Sequence, residues 1–473
     1  MALEIPGKRV MGETPPTVFA KLFYGIRSQA QKASAALFAP VDVASLVYFR
    51  IAFGAIMLWE IWRYFQHGWI AAYWIEPEFH FHYLGFEWLK PWPGNGMYLH
   101  FIALGVLALM IMTGLWYRAS TILFFTGFTY TFLLEQARYL NHFYLICLIS
   151  FLLIFMPANA AFSVDARRHP GMRKDHVPAW SLWLLRFQIA VPYFYGGIAK
   201  LNADWLSGKP LNMWLAERSD FPLIGAYFQE DWMVLLFSYG GLLFDILVVP
   251  FLLWRRTRFA AFCLALGFHL INARLFSIGI FPWFMIAATL LFFDPGWPRQ
   301  VARIVKKKDP PGPKKEAAAV HITNRGAVLT LLSLYVGIQI LFPLRHFLYP
   351  GNVNWSEEGH VFSWHMKLRD KEGDAVFLVT DVEGETTRIV QPAEHLTSWQ
   401  QRKMSTRPEL ILQFAHYLAQ LEQQNGTQAV EVRTLVRVSL NGRPSQLLVD
   451  PRADLAAQAW SDWPHAWILP LLN

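Results

Sequence analysis

Residues 232–254 read WMVLLFSYGGLLFDILVVPFLLW, a run of 23 residues that is almost entirely apolar. An α-helix needs about 20 consecutive apolar residues to cross the hydrocarbon core of a bilayer, so this run is typical of a membrane span. Comparable runs recur along the chain and predict a polytopic α-helical membrane bundle of about nine spans. The predicted spans lie near residues 44–64, 98–117, 119–136, 139–158, 180–200, 232–254, 258–275, 277–293 and 326–345.

The composition supports lipid as the solvent for much of this chain. Of its 473 residues, 54% are hydrophobic and 16% are charged, whereas an ordinary soluble domain carries about 25% charged residues. In a soluble protein, the formal net charge of +8 would suggest nucleic-acid binding. Here the basic residues occur in short segments between apolar runs, which is the positive-inside pattern of membrane proteins. We therefore exclude a nucleic-acid partner.

The basic segments also predict the orientation in the membrane. They precede the first predicted span and fill the loops at 167–174, 255–258 and 299–325. With nine spans, all four groups fall on one face, which is the cytoplasmic face by the positive-inside rule. The sequence thus predicts an integral multi-pass protein with a cytoplasmic N-terminus and an extracytoplasmic C-terminus.

The composition changes after Pro343, which predicts a separate C-terminal domain. Short alternating runs such as AVFLVTD and TLVRVSL are typical of strands, and the pair Asn441-Gly442 predicts a hairpin turn. Residues 408–424 have helical periodicity. We expect three regions: a cytoplasmic N-terminal segment at 1–43, a transmembrane helical domain at 44–345 and a small extracytoplasmic α+β domain at 346–473.

Cysteine and histidine patterns predict no metal site. Cys147 and Cys263 both fall in apolar runs and are most simply small core residues. His80 and His82 are two residues apart, but such a pair without further ligands is a weak signal for a metal.

Polar residues inside the predicted spans are expensive unless they are paired or face a cavity, so each is a candidate functional residue. Arg50 falls near the middle of the first span and is either part of a structural contact or a charge that faces an anion. Asn141 and His142 lie at the start of the fourth span. A histidine at such a boundary is more often a hydrogen-bonding residue than a catalyst, and both interpretations stay open.

Lys200 ends the run PYFYGGIAK at the close of the fifth span. A lysine there usually extends to the headgroups. The apolar setting, with Tyr195 nearby, supports the alternative of a neutral amine that can act as a base, and both interpretations stay open. In the seventh span, His269 and Asn272 are three residues apart and share a helix face, where they form either interhelical hydrogen bonds or part of a site.

Six stretches, taken in order, are together similar to one known family. They are VASLVYFRIAFG (43–54), NHFYLICLISFLLIFMPANAAFSVDA (141–166), GGIAKLNADWLSGKP (196–210), FHLINARLFSIGIFPWFMIAATLLFFDPGWPR (268–299), NVNWSEEGHVFSWHM (352–366) and VDPRADLAAQAW (449–460). The chain resembles the vitamin K-dependent γ-glutamyl carboxylases, a family of HTTM-domain membrane proteins. The resemblance covers the chain from about residue 40 to the end of the sequence.

This resemblance implies both the reaction and the residues that carry it. In that family, a lysine deprotonates vitamin K hydroquinone, and reaction with O2 then gives a strong base. That base removes a γ-proton from a peptide glutamate, CO2 adds to the carbanion, and the quinone leaves as its 2,3-epoxide. By resemblance, the catalytic residues are Lys200 and His142. The resemblance also places Asn141, His269 and Asn272 in the site. We expect Arg50 and Tyr195, selected above from the residues alone, to lie with them around the quinone and the substrate.

Three positions depart from the animal members of the family. Ala199, Leu140 and Asn202 stand where those enzymes carry lysine, asparagine and aspartate, and their disulfide cysteines have no counterparts here. These differences indicate a bacterial member in the inner membrane. We expect a glutamate-containing peptide or protein and the lipid bilayer as partners, while the oligomeric state stays open.

Two alternatives to the coupled reaction remain. One is a quinone-epoxidising membrane protein of the same fold that does not carboxylate glutamate. The other is a non-enzymatic membrane transport or binding protein, which would place polar residues through the full depth of the bilayer.

Overall fold

The computed structural model describes residues 18–307 and 324–472. Residues 1–17 of the predicted cytoplasmic segment and residues 308–323 of the last predicted basic loop lie outside these ranges.

The chain up to residue 341 is built almost entirely from helices. A short antiparallel pair, β1 (Pro40–Asp42) and β2 (His176–Pro178), is its only sheet within the described residues. The helices are α1 (Val18–Phe38), α2 (Ala44–Gln66), α3 (Trp69–Trp74), α4 (Gly96–Thr113), α5 (Tyr117–Leu133), α6 (Asn141–Phe155), α7 (Val164–Arg168), α8 (Ala179–Ala199), α9 (Ala203–Leu206), α10 (Leu211–Ala216), α11 (Asp231–Leu253), α12 (Arg258–Phe276), α13 (Phe281–Thr289), α14 (Trp297–Val305) and α15 (Arg325–Leu341).

Five of the described helices are long and apolar enough to cross a membrane. They are Ala44–Gln66, Gly96–Thr113, Asp231–Leu253, Arg258–Phe276 and Arg325–Leu348, the last of which includes the turn after α15. The prediction of about nine spans is therefore not supported. The orientation that was derived from nine spans stays a prediction.

The other four predicted spans do form helices, but length or polarity sets them apart. Helix α6 has 15 residues and is about 22 Å long, which is shorter than the roughly 30 Å hydrocarbon core of a bilayer. Helices α5 and α13 have 17 and 9 residues. Helix α8 is long enough, but it contains Arg186, whose guanidinium donates to the carbonyls of Leu291 and Phe293. The apolar residues of these helices serve packing within the bundle at least as much as contact with lipid.

The C-terminal domain has the predicted α+β character. Its antiparallel sheet has the order β4-β3-β5-β6, with α18 packed against β5 and β3. Its elements are α16 (Val353–Ser356), β3 (Lys371–Asp381), β4 (Thr386–Val390), α17 (Ser398–Met404), α18 (Pro408–Gln424), β5 (Val430–Leu440) and β6 (Gln446–Leu447). The predicted helix over 408–424 is confirmed, and so is the hairpin, in which Asn441 and Gly442 both take positive φ between β5 and β6.

The tip of this hairpin is bonded to the segment that follows Lys200. Arg443 donates twice to Asp204 of α9, with Nη1–Oδ2 and Nη2–Oδ1 distances of 2.8 and 2.6 Å. Asn441 Nδ2 donates to the same carboxylate at 2.7 Å. A bidentate, largely buried pair of this kind fixes geometry as well as contributing energy. The C-terminal domain is thereby held against the loop that carries Lys200.

We expect Arg443→Ala to lower the free energy of unfolding by about 1.5–3 kcal/mol, because hydrogen bonds to a charged group are lost and Asp204 is left partly buried. Thermal unfolding of the purified protein measures this change. Arg433→Ala is the matched control, since its pair with Glu431 is exposed by 46% and 37% and such pairs contribute about 0–1 kcal/mol. Equal losses in the two variants would show that the contact does not join the domains.

Candidate active site

Helices α8 and α11 approach each other closely just before Lys200. A Cβ atom built on Gly197 would lie 2.6 Å from Cγ1 of Ile246 and 3.4 Å from Cβ of Asp245. Only glycine permits this approach. The contact brings the end of α8 against the middle of α11.

Lys200 forms a buried ion pair with Asp245 at this contact. The Nζ–Oδ2 distance is 2.5 Å, and the two residues are 7% and 6% exposed. The amine also donates to the Gly196 carbonyl at 3.3 Å and lies 5.2 Å from the centroid of the Trp205 ring. A lysine at the end of a span can extend to the headgroups, but this one is directed into the protein and paired.

A cavity of about 680 Å³ adjoins the ion pair, between α8, α11 and α12. Lys200 and Asp245 lie on its wall, which otherwise consists mainly of apolar side chains. Along α12 the wall runs from Ala261 to Phe276, a length of about 22 Å. The cavity therefore has the shape and polarity of a site for an elongated apolar molecule with one polar end.

Helix α12 contributes the remaining polar wall residues. His269 Nε2 lies 2.6 Å from the hydroxyl of Tyr193, which comes from α8. Asn272 Nδ2 donates to the Phe268 carbonyl, one turn earlier in the same helix, at 2.8 Å. Both residues line the cavity with Lys200, which is the grouping that the sequence suggested for them.

One aromatic ring, that of Phe281, lies between His142 and this cavity. The imidazole centroid of His142 lies 6.0 Å from that of Phe281, and Phe281 in turn lies 6.2 Å from the ring of His269 and lines the cavity. Asn141 has a different environment. It donates to the His365 carbonyl of the C-terminal domain at 3.1 Å and accepts from the Tyr139 hydroxyl at 2.9 Å.

The structure places Arg50 and Tyr195 away from the cavity wall. Arg50 is fully buried beside the turn between α4 and α5 and donates to the Phe162 carbonyl at 2.7 Å. The Tyr195 hydroxyl donates to the Ile340 carbonyl of α15. Both contacts join separate segments of the chain, so these two residues are positioned to hold the bundle together.

Two charged residues of the site were not predicted from the sequence. Asp245 is the only charged side chain within the run 232–254, and an acid in a membrane span requires a partner, so its position was the available signal. Lys367 lines the cavity from the C-terminal domain, and no sequence pattern connects it to Lys200 and Asp245, which lie more than a hundred residues earlier.

The residues of the cavity wall fit a reduced quinone, the co-substrate that the resemblance implies. No group of three or more histidine, cysteine, aspartate or glutamate side chains that could hold a metal ion occurs in the described part of the chain. The apolar walls suit a ring with a long apolar tail, and Lys200 and His269 place polar groups on the same wall.

Two known family models match most of the chain. Residues 38–297 match the family model described as the HTTM domain, and residues 324–473 match that of the vitamin K-dependent gamma-carboxylase, lumenal domain. No solved structure gives a significant match. The two matches occur in the order that the resemblance implied and together cover most of the sequence. The chain belongs to the vitamin K-dependent γ-carboxylase family.

Proposed function

We propose that the protein carboxylates the γ-carbon of peptide glutamate with CO2, and that this reaction is coupled to the conversion of vitamin K hydroquinone and O2 into the 2,3-epoxide. One observation carries the proposal: Lys200, which corresponds to the catalytic lysine of the family, is buried on the wall of an elongated apolar cavity. When bound there, the reduced quinone with O2 would supply a base strong enough to remove a γ-proton from glutamate.

Lys200 is assigned the role of general base, with Asp245 as the residue that positions it. Lys200 acts as a base only after the ammonium of this ion pair has released a proton. When the resulting neutral amine accepts a proton, the carboxylate 2.5 Å away stabilises the ammonium that forms again. A buried carboxylate stabilises the protonated base of a catalytic triad in the same way. The bond also fixes the direction of the amine, which leaves its remaining hydrogen-bonding positions for the Gly196 carbonyl and the cavity.

His142 is assigned a second proton-handling role. Its ring packs against Phe281, so a small change in the position of Phe281 would connect it to the polar wall formed by His269 and Tyr193. We assign Asn141 to holding the C-terminal domain beside His142 through its bond to the His365 carbonyl. His269 and Asn272 are assigned to the quinone ring, since both line the cavity.

The apolar wall serves the chemistry as well as binding. A strong base reacts with bulk water before it reacts with a carbon acid, so the site must exclude water. Leu243, Leu247 and Leu264 line the cavity and are also exposed on the outer faces of α11 and α12, two helices that can span the membrane. We infer that the cavity opens to lipid between α11 and α12, which gives a long-tailed quinone a dry route of entry.

Gly267→Phe is expected to block this route. Gly267 lines the cavity on α12, and a Cβ at this position would meet no atom within 4 Å, so the larger side chain fits without disturbing the helix. We expect the KM for a long-tailed hydroquinone to rise about ten-fold, which corresponds to the loss of roughly two buried methylene groups of the tail. The KM for a short-tailed analogue should not change.

Gly337→Phe on α15 is the matched control. Gly337 also lies in an apolar helix with no atom within 4 Å of a built Cβ, but it does not line the cavity. An equal rise in KM for both tail lengths, or in both variants, would contradict lateral entry at α11 and α12.

The proposed orientation follows from the basic loops and the family. We propose that the protein lies in a bacterial inner membrane and that its C-terminal domain lies outside the cytoplasm, where it would present a glutamate-containing peptide.

The test of function is to incubate the purified protein in lipid with vitamin K hydroquinone, O2, CO2 and a glutamate-rich peptide. Epoxide together with carboxylated peptide supports the proposal, whereas epoxide alone would favour the quinone-epoxidising alternative.

A further inference from the structure

Lys367 lies where the cavity meets the C-terminal domain. Met366 and Lys367 are the residues of that domain on the described cavity wall. The Lys367 amine lies 4.8 Å from the Trp214 ring centroid and 5.3 Å from that of Phe276, the last residue of α12. This lysine therefore marks an opening of the cavity at the end opposite Ala261, distinct from the opening between α11 and α12.

Asp370 is the acid whose charge acts on Lys367. Neither Asp370 nor any other carboxylate within the described ranges lies close enough to form a salt bridge with it. The nearby acid Asp370 already accepts a hydrogen bond from Trp214 Nε1 at 2.7 Å, and Arg218 adds a second positive charge close by. Lys200 differs in this respect, because Asp245 balances its charge within the cavity. The opening at Lys367 thus attracts anions, whereas the interior is neutral overall.

The backbone around Lys367 is held in an unusual conformation. Phe362, Trp364 and Lys367 take φ values of 64°, 60° and 53°, in the left-handed region that residues other than glycine rarely adopt. Such strain persists only where the surrounding structure fixes the chain, and it is concentrated at functional sites. Here the Phe362 amide donates to the Tyr139 hydroxyl at 2.8 Å, which anchors the segment to the helical domain. Lys367 is therefore presented to the cavity in a fixed position.

We propose that Lys367 binds the γ-carboxylate of the peptide glutamate as it enters the cavity. This inference rests on the proposed function, which requires a glutamate side chain to reach the cavity while the quinone occupies its apolar part. A free ammonium held between aromatic rings provides a charge-assisted hydrogen bond to one carboxylate. The two substrates would then arrive through different openings, the quinone from lipid and the glutamate from the C-terminal domain.

The test is the binding of a fluorescent peptide that carries paired glutamates, and of its glutamine counterpart, to the full-length protein in lipid nanodiscs. Loss of one charge-assisted hydrogen bond should weaken binding of the glutamate peptide by about ten-fold in Lys367→Gln. Binding of the glutamine peptide should not change, and Lys367→Arg should restore discrimination between the two. Lys90→Gln is the matched control, because Lys90 is an exposed lysine that does not line the cavity.

Each other outcome overturns the inference. These outcomes are equal binding of the two peptides by the unaltered protein, unchanged binding in Lys367→Gln, and an equal loss in Lys90→Gln. Carboxylation is measured separately. If Lys367 controls peptide discrimination but no carboxylation occurs, the proposed function fails and the binding site stands. If carboxylation occurs but replacing Lys367 does not change peptide discrimination, the proposed function stands and the binding site at Lys367 fails.

Discussion

Replacing Lys200 with arginine is expected to lower the rate of epoxide formation by about 10²–10⁴-fold, the usual contribution of a general base. Arginine keeps the positive charge, so the contact with Asp245 and the stability of the protein should survive. Its guanidinium does not release a proton near neutral pH, so it cannot act as the base. Epoxide formation under saturating hydroquinone, with Tm measured on the same sample, separates these two effects.

Lys209→Arg is the control for this experiment, because Lys209 lies in the same segment but does not line the cavity. Rates for Lys200→Arg within a few-fold of the unaltered protein would remove Lys200 from the role of base.

Asp245→Ala is expected to destabilise the protein by about 3–5 kcal/mol, because it leaves the Lys200 ammonium buried without a partner. Removing both charges should reverse most of this loss, since a buried ion pair can be exchanged for apolar residues at little cost. We therefore expect Lys200→Met/Asp245→Leu to unfold near the temperature of the unaltered protein but to form no epoxide.

The comparison of these variants distinguishes a positioning pair from a purely structural one. Asp231→Ala, at the exposed start of α11, controls for the loss of an acid from that helix. A double variant as unstable as Asp245→Ala would show that the pair does not interact as described. A stable and active Asp245→Ala would show that Lys200 needs no partner.

The sequence was informative about which segments form helices but not about which of them span the membrane. All nine predicted segments are helical, yet four of them are shorter or more polar than a span requires. Hydropathy measures how strongly apolar side chains prefer to be removed from water. This preference is the same whether lipid or another helix covers the side chains. Helix α6 illustrates this, since Leu145, Ile149 and Leu152 are buried within the bundle.

Some residues of the site could be predicted because a polar side chain in an apolar span is costly unless it is paired or faces a cavity. Lys200, His269 and Asn272 were selected on that ground and lie on one wall. Tyr195 was selected by its proximity to Lys200 in the sequence. Residues two apart on a helix point in nearly opposite directions, so Tyr193 faces the cavity while Tyr195 faces α15.

Lys367 could not be found in this way, because its position depends on how the C-terminal domain docks. That docking rests on contacts such as the one between Arg443 and Asp204, which join residues more than two hundred positions apart. A pattern within one segment carries no information about such a contact.

We propose that oxidation of the hydroquinone at Lys200 is coupled to carboxylation of glutamate. Its most direct test is to measure epoxide and the incorporation of isotopically labelled CO2 into a glutamate peptide in the same reaction, with the unaltered protein and Lys200→Arg. We predict that both products form with the unaltered protein and that both are lost together in Lys200→Arg. Formation of epoxide without labelled peptide would show that the two reactions are not coupled, and unchanged amounts of both products with Lys200→Arg would show that Lys200 is not the base.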